Sequence, residues 1–231
     1  MQDNRYDLAV LGGGAGGLFT ASVANALGAR MCIIEKRRLG GDCTWYGCMP
    51  SKAILKSAYV ANLLRRSSEF GLKIQGDFQI STNGVMSHVR DVVQEIATHH
   101  EPQDLMKRGI DVLFGSPRFV DTNSVEVNGK RIDSKRFIIA TGSHPAIPPI
   151  EGLKDVNYLS NENIFDLNEL PKSLIVLGGG PIGVELSQAL HRLGTQVTIV
   201  EMAERILSRE EPELAQIVAD RLRKEGLNIE A

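Results

Sequence analysis

The chain has 231 residues, of which 42% are hydrophobic and 23% are charged, with 26 basic against 28 acidic side chains. This length allows one or two domains with a sizeable core, and a net charge of −2 gives no reason to expect nucleic acid or a membrane surface as a partner. No apolar run is long enough to span a bilayer, and the polar residues 1–6 do not form a signal peptide.

The first predicted elements form a βαβ unit with a glycine-rich turn. An apolar strand over 7–11 leads into the turn 12–17, a helix follows to about residue 27, and a second strand over 31–34 ends at Glu35. In such turns the first glycine permits the tight bend, the second admits a pyrophosphate and the third lets helix and strand pack closely. We therefore expect a dinucleotide site here that includes Gly12, Gly14, Gly17 and Glu35.

Two cysteines, Cys43 and Cys48, follow this unit. A thiol pair beside a redox cofactor can pass two electrons by opening and closing a disulfide. Cys48 is predicted at the N-terminus of a helix over 47–66, where a thiolate is stabilised, and Cys43 in the preceding loop, freer to meet a substrate. Half of a metal site and two ordinary buried cysteines stay open as alternatives. Since the nearest histidine is His88, we predict no metal site.

The third cysteine, Cys32, lies on an apolar strand and is predicted in the core. Three cysteines do not make a disulfide framework. We expect a reducing cytoplasm, where a disulfide is more often catalytic than structural.

The middle of the chain is less regular. A long helix is predicted from Ser81 or Thr82 to about residue 108, bent near Pro102. Asn128-Gly129 is a hairpin signal between predicted strands over 124–127 and 131–133. A further strand over 136–140 leads to Thr141-Gly142. The prolines that follow predict a domain boundary near residues 147–153.

A second βαβ unit repeats the first at a constant offset of 166 residues, with predicted strands over 174–177 and 196–200 and a helix over 181–193. Gly178, Gly180, Gly183 and Glu201 occupy the equivalent positions. A carboxylate at Glu201 accepts hydrogen bonds from a ribose 2′-hydroxyl but repels a 2′-phosphate, so NAD is predicted over NADP. Arg205 could soften that preference, although we interpret it as a solvated charge on the side of a helix.

The segment 40–52, Gly-Gly-Asp-Cys-Thr-Trp-Tyr-Gly-Cys-Met-Pro-Ser-Lys, resembles the redox-active signature of the class I pyridine nucleotide–disulfide oxidoreductases. That family includes dihydrolipoamide dehydrogenase, glutathione reductase and mercuric reductase. Both glycine turns, Glu35-Lys36 and Ala140-Thr141-Gly142 occur where the family has them, so the resemblance covers essentially the whole chain.

The resemblance implies an α/β fold with two Rossmann-like dinucleotide-binding domains in three layers, both incomplete in this chain. Residues 1–150 would bind FAD and carry the cysteine pair, and residues 151–231 would be a truncated NAD(P)H-binding domain. Hydride would pass to the flavin and then to a Cys43–Cys48 disulfide.

The resemblance also implies roles for single residues. Cys48 would contact the flavin as a charge-transfer thiolate, and Cys43 would attack the substrate. Lys52 would lie against the flavin and pair with Glu185, and Gly115 would approach the adenosine. The implied FAD site comprises Gly12, Gly14, Ala15, Gly17, Glu35, Lys36, Gly41, Cys43, Lys52, Gly115, Ala140, Thr141 and Gly142. The implied NAD site comprises Gly178, Gly180, Pro181, Ile182, Gly183 and Glu201.

The chain departs from the family pattern in three respects. Asp42 replaces the usual threonine, and a carboxylate suits a pyrophosphate poorly, so we assign it no phosphate contact. Trp45-Tyr46 replaces a small or aliphatic pair, which changes the surface a substrate meets. The sequence stops at Ala231, before the expected C-terminal dimerisation domain with its His–Glu pair. No histidine matches that pair; the five are His88, His99, His100, His144 and His191.

We therefore interpret the sequence as the N-terminal part of a homodimeric flavoenzyme that reduces a small-molecule or protein-bound disulfide. Dihydrolipoamide dehydrogenase is the best-fitting activity because Glu201 favours NAD. A mercuric reductase-like enzyme is the alternative. A nucleotide-binding fragment without turnover is a further one. A flavin monooxygenase or amine oxidase would have no use for Cys43 and Cys48.

Overall fold

The computed structural model describes residues 5–76 and 78–231. The polar start of the chain, residues 1–4, lies outside the described part. The chain clusters into two compact units, Met1–Pro50 with Asp91–Ile164 and Ser51–Arg90 with Phe165–Ala231. The predicted domains 1–150 and 151–231 use a single cut instead, and they remain a prediction. Within the described residues, no helix is long and apolar enough to cross a membrane.

The chain combines strands and helices, as the α/β prediction requires, with β–α–β order around each glycine-rich turn and runs of helices and then strands between them. The strands are β1 (Arg5–Leu11), β2 (Met31–Glu35), β3 (Ile110–Phe114), β4 (Arg118–Asp121), β5 (Ser124–Val127), β6 (Lys130–Ile139), β7 (Ser173–Leu177), β8 (Gln196–Val200) and β9 (Asn228–Glu230). The helices are α1 (Ala15–Ala26), α2 (Gly41–Trp45), α3 (Cys48–Arg65), α4 (Thr82–Ala97), α5 (Pro102–Lys107), α6 (Pro181–Arg192) and α7 (Pro212–Glu225).

The first unit contains a six-stranded sheet in the order β3-β2-β1-β6-β5-β4. β1 pairs in parallel with β2 and β6, whereas β5 pairs antiparallel with β4 and β6. The two strands predicted over 131–133 and 136–140 are in fact one strand, β6. Its first residues pair with β5 and its later ones with β1, so both partners lengthen it. The Asn128-Gly129 turn is present, with φ of 52° and 75°.

Alternating side chains of β1 and β2 build two apolar layers in this unit. Val10 and Ile33 pack on one face with Ala21 of α1 and Leu105 of α5. The other face holds a cluster with the β5 side chains, made of Tyr6, Ala9, Leu11, Cys32, Ile34, Val125 and Val127. Helices, parallel sheet and antiparallel strands therefore form the three predicted layers, and Cys32 is a core residue as predicted.

The second unit contains the parallel sheet β7-β8-β9. Helices α6 and α7 and strand β8 contribute buried hydrophobic residues to this unit. They are Val184, Leu186, Ala189, Leu190, Val197, Ile199, Ala215, Ala219 and Leu222. α7 begins with Pro212 as its first residue, and Gly226, whose φ is 100°, caps its C-terminal end. The predicted β7, α6 and β8 are present, and α7 and β9 add to them.

Candidate dinucleotide and dithiol site

The glycines of the first turn are required by the packing of the turn itself. Gly12 has a φ of +107°, and a Cβ there would lie 2.2 Å from the carbonyl oxygen of Ala140. A Cβ at Gly17 would lie 1.9 Å from the carbonyl oxygen of Gly12. Distances this short exclude any side chain. The turn therefore brings β1, α1 and the end of β6 into direct backbone contact.

The N-terminus of α1 fits the pyrophosphate of FAD. Gly14 caps the helix without a side-chain hydrogen bond, and no acidic residue lies in the first turn, which starts at Ala15. The first N–H groups of a helix have no partner within it, and the helix dipole favours an anion there. Gly41, at the start of α2, adds a close backbone approach, because its Cβ would lie 2.5 Å from Gly14 Cα.

Glu35 fixes the turn through both carboxylate oxygens. Oε2 accepts a hydrogen bond from Gly13 N at 2.6 Å, and Oε1 accepts one from Arg37 N at 2.7 Å. Gly115 lies beside Glu35, since its N–H donates to the Glu35 carbonyl oxygen at 2.9 Å. A Cβ at Gly115 would lie 2.6 Å from Val127 Cγ1, so internal packing already requires a glycine there.

Three further residues of the implied FAD site follow β6. Ala140 N donates to the Leu11 carbonyl oxygen at 2.8 Å, which continues the pairing with β1. Thr141 and Gly142 come next and are exposed, with a φ of +71° at Gly142. Lys36, beyond β2, is also exposed. The structure thus joins Ala140 to the turn and leaves Lys36, Thr141 and Gly142 on the surface.

The second glycine turn repeats this arrangement in the other unit. Gly178 has a φ of +104°, and a Cβ at Gly183 would lie 2.2 Å from the carbonyl oxygen of Gly178. Glu201 accepts hydrogen bonds from Gly179 N at 2.7 Å and Ala203 N at 2.9 Å. These bonds, from Ala203 first and then Gly179, lower the pKa of Glu201.

The start of α6 also fits a dinucleotide. Gly180 caps the helix without a side-chain hydrogen bond, Pro181 is its first residue, and no acidic side chain lies in its first turn. Ile182 follows and is exposed. The unpaired N–H groups at this end provide the same kind of anion site as those of α1.

Arg205 differs from its predicted role. It lies outside the helices, and its guanidinium donates to the carbonyl oxygens of Leu207, Ser208 and Glu210 at 2.7–2.9 Å. The interpretation as a solvated charge on the side of a helix is wrong, because Arg205 lies in the loop after β8 and its hydrogen bonds to three carbonyl oxygens stabilise that loop.

The two cysteines lie together in the first unit. Cys43 lies within the short helix α2, so its predicted position in a loop is wrong, whereas Cys48 begins α3 as predicted. Neither takes part in a disulfide, and Cys48 is the more exposed, contrary to the expectation that Cys43 would be freer to meet a substrate. Burial first, and then a hydrogen bond with the Cys48 thiol, raises the pKa of Cys43 to about 11.

No group of three or more metal-ligating side chains occurs in the described part of the chain.

In the second unit, Lys52 Nζ lies 2.7 Å from Glu185 Oε1. Both side chains are substantially exposed, so this ion pair contributes little to stability. It places an ammonium and a carboxylate together, as the family resemblance implied.

Sequence reasoning missed three contacts around α2. Arg38 stacks on Trp45, with its Cζ 3.6 Å from the centre of the ring. Arg38 Nη2 also donates to Tyr46 Oη at 2.9 Å. Asp42 Oδ1 accepts from Asn161 Nδ2 at 3.1 Å, which gives this carboxylate a protein partner. An arginine shortly before two aromatic residues was the available signal for the first two contacts.

Two glycine turns, each held by a carboxylate, and one thiol pair in the first unit are features of an α/β nucleotide-binding fold of the redox class. The chain belongs to the pyridine nucleotide-disulphide oxidoreductase family, because the sequence model of that family matches residues 6–231.

Relatives support this membership at moderate identity. A mercuric reductase of Lysinibacillus sphaericus is 33% identical over 229 residues, covering 99% of this chain and 42% of that protein. A dihydrolipoyl dehydrogenase of Acholeplasma laidlawii is 34% identical over 228 residues, covering 97% of this chain and 68% of that protein.

A solved structure is also similar to this chain. It is the Cu(II) complex of a cysteine-to-serine variant of RclA, an HOCl-induced flavoprotein disulfide reductase of Escherichia coli. The TM-score is 0.83 at 28% identity, over 98% of this chain and 49% of that one. The chain thus spans less than half the length of this protein and of the mercuric reductase.

Proposed function

We propose that this chain is the nucleotide- and dithiol-bearing part of an FAD-dependent NAD(P)H:disulfide oxidoreductase. The observation that carries the proposal is the contact between Gly41 and Gly14. It joins the helix that bears Cys43 directly to the turn that fits a pyrophosphate. A redox-active thiol pair is thereby tied to the dinucleotide site.

The residues of the pair divide the reaction between them. FAD held at the first glycine turn would supply the chemistry that relays two electrons from NAD(P)H. The Cys43–Cys48 disulfide takes up these two electrons together with two protons, one from the hydride and one from solvent, and opens to two thiols. The Cys43 sulfur attacks one sulfur of the substrate disulfide, forms a mixed disulfide and releases the first product thiol. The Cys48 sulfur then attacks Cys43, reforms the disulfide and releases the second. The net transfer is two electrons from NAD(P)H to the substrate.

The position of Cys48 supports this order. Cys48 is the first residue of α3, and its thiol is hydrogen-bonded with the Cys43 thiol, so it is placed to attack Cys43 and close the disulfide. Cys43 keeps its proton at neutral pH because its pKa is raised, and it needs a base to become the attacking sulfur. Lys52, paired with Glu185, is the proposed cationic neighbour of the flavin.

Lipoamide is the proposed disulfide substrate and dihydrolipoamide its reduced product, with NAD as the coenzyme. The carboxylate of Glu201 supports NAD, because it suits a 2′-hydroxyl and repels a 2′-phosphate. The similarity to a dihydrolipoyl dehydrogenase agrees with that choice. A cytoplasmic location and a homodimeric parent protein belong to the same proposal.

A second candidate is the two-electron reduction of a thiophilic metal ion such as Hg(II). The similar proteins include a mercuric reductase and a reductase solved with Cu(II). The exposed Cys48 thiol beside Cys43 favours this candidate, because paired thiolates are ligands that soft metal ions prefer.

Two serine variants test the proposal. Purified protein should retain FAD, and two-electron reduction should produce a long-wavelength absorption band that Cys48→Ser abolishes and Cys43→Ser retains. Both variants should lose NADH-driven reduction of lipoamide. A band that survives Cys48→Ser would contradict the assignment of that thiol. Retained FAD without any NADH-driven reduction in the wild type would instead indicate a nucleotide-binding fragment, and turnover of Hg(II) but not lipoamide would favour the second candidate.

A further inference from the structure

The Arg38 clamp, which we define as Arg38, Leu39, Trp45 and Tyr46, holds the C-terminal end of α2. The Arg38 guanidinium lies 3.6 Å from the centre of the Trp45 ring and 5.1 Å from that of Tyr46. Trp45 Nε1 donates to the Leu39 carbonyl oxygen at 2.7 Å, and Arg38 Nη2 donates to Tyr46 Oη at 2.9 Å. Two hydrogen bonds and a cation–π stack thus join consecutive aromatic residues to consecutive residues of the preceding loop.

Helix α2 depends on such contacts for its position. It has five residues, begins after Gly40 and has no side-chain cap. A helix this short does not persist on its own, because nucleation costs more than so few hydrogen bonds return. The clamp therefore fixes the C-terminal end of α2, while the close approach of Gly41 to Gly14 holds its start. The sulfur of Cys43 lies between these two points.

The loop that carries Arg38 is itself fixed to the glycine turn. Glu35 accepts a hydrogen bond from Gly13 N at 2.6 Å. At the other end of the loop, Gly40 N donates to the Gly13 carbonyl oxygen at 2.8 Å. A continuous path of contacts thus runs from Gly13 through the loop and the clamp to Cys43.

We propose that Arg38 is a positioning residue that sets the redox equilibrium of the Cys43–Cys48 pair through the stacked Trp45 and the hydrogen-bonded Tyr46. The role given to the pair rests on the proposed function, whereas the equilibrium between its two thiols and the disulfide is measured without flavin or coenzyme. By holding α2, Arg38 raises the effective concentration of one thiol at the other, which stabilises the disulfide.

The equilibrium can be measured against glutathione. The Cys43 and Cys48 thiols react with oxidised glutathione to give one protein disulfide and two glutathione thiols, so atoms and electrons balance. Arg38→Met keeps a long side chain but removes the charge and the donors. Its equilibrium constant for disulfide formation should fall about fivefold to tenfold, the scale of one cation–π contact and one hydrogen bond.

Two controls separate the clamp from a general charge effect. Arg37→Met removes the neighbouring exposed charge and should leave the constant unchanged. Arg38→Lys keeps a cation but loses the planar fork, so it should restore only part of the difference. If Arg38→Met does not fold, Tyr46→Phe decides, because it removes only the hydroxyl acceptor and should shift the constant in the same direction by a smaller factor.

Trp45 supplies a spectroscopic signature because it is the only tryptophan in the chain. Its emission should change in Arg38→Met and not in Arg37→Met. The thiol equilibrium is read by alkylation and mass, with neither flavin nor NADH. Failure of NADH-driven turnover would thus contradict the proposed function alone. The proposal is overturned if the equilibrium constant for disulfide formation is the same in Arg38→Met as in the wild type, or if Arg37→Met lowers this constant equally.

Discussion

Adjacent glycines in the first turn have opposite tolerances for a side chain. A Cβ at Gly17 would lie 1.9 Å from the Gly12 carbonyl oxygen, whereas a Cβ at Gly16 would have no neighbour within 4 Å. Both lie in the first turn of α1. The difference therefore comes from the packing of α1 against β1 and not from helix formation.

We predict that Gly17→Ala lowers the free energy of unfolding by about 2 kcal/mol or more, since the backbone must move to admit the methyl group. Gly16→Ala is the matched control and should raise it by about 0.5–1 kcal/mol, because alanine is the better helix former. Urea unfolding of both variants without added nucleotide measures the difference. Equal effects would contradict the close approach of Gly12 and Gly17.

A residue that the sequence assigns to ligand binding can also be required by contacts within the protein. Gly115 was expected to approach adenosine, yet its position beside Val127 already requires a glycine. Glu35 and Glu201 were expected to bind ribose, and each also accepts hydrogen bonds from two backbone N–H groups, one in its glycine turn and one in the loop that follows the carboxylate. The pattern of residues could predict these positions, but the contacts within the protein become visible only in three dimensions.

At the scale of elements, Glu225 at the end of α7 joins that helix to α6. Its carboxylate accepts two hydrogen bonds from Arg192, at 2.8 and 2.7 Å, and one from Arg221 at 2.7 Å. The Glu225 side chain is 11% exposed and that of Arg192 is 17% exposed. Burial alone raises the pKa of Glu225, but the hydrogen bonds from Arg192 and Arg221 outweigh it and bring the pKa to about 2.

This lowered pKa predicts how stability depends on pH. A carboxyl with a depressed folded-state pKa stabilises the fold above its unfolded value of 4.5, and the contribution is lost as pH falls from there towards about 2. Glu225→Gln should cost about 2–3 kcal/mol at pH 7, and the difference from the wild type should shrink below pH 4.5. Urea unfolding between pH 7 and pH 3 measures it.

Two arginine variants locate the effect within that pair of helices. Arg192→Met should cost nearly as much as Glu225→Gln, because it leaves a buried carboxylate short of its partner. Arg221→Met removes a more exposed pair within one helix and should cost about 0.5 kcal/mol. A larger loss in Arg221→Met than in Arg192→Met would contradict the assignment of the stabilising contact to the helix–helix pair.

Elements with strong local signals were predictable from the sequence. β1, α1, β2 and their counterparts β7, α6 and β8 combine apolar runs with glycine turns. Helix α2 was missed because it is short, has no periodic pattern and depends on the Arg38 clamp. The continuity of β6 was missed because it depends on two partners distant in sequence. Similarly, no local pattern pairs Arg192 with Glu225, and the Lys52–Glu185 pair came from the family resemblance alone.

In the molecule as a whole, the two glycine turns repeat one structural arrangement. Glu35 with Gly13 and Glu201 with Gly179 are separated by one constant offset, and their hydrogen bonds measure 2.6 and 2.7 Å. Each carboxylate oxygen retains a second lone-pair site for a ribose hydroxyl. The two turns differ in their surroundings: a Cβ at Gly14 would meet Gly41 of α2, whereas a Cβ at the equivalent Gly180 would meet none of the described residues within 4 Å.

This difference predicts separable effects for the same substitution in the two turns. Glu35→Gln removes the charge and one of two accepted hydrogen bonds at the proposed FAD site, so purified protein should retain several-fold less flavin. Glu201→Gln should keep its flavin and bind NADH several-fold more weakly, since a neutral amide holds the ribose diol less well. Because Glu201 also fixes Gly179 and Ala203, this variant is the necessary reference for Glu201→Arg, which should raise the use of NADPH relative to NADH. Flavin absorbance per protein and NADH titration measure the two effects. Loss of flavin in Glu201→Gln with full retention in Glu35→Gln would reverse the assignment of the two turns.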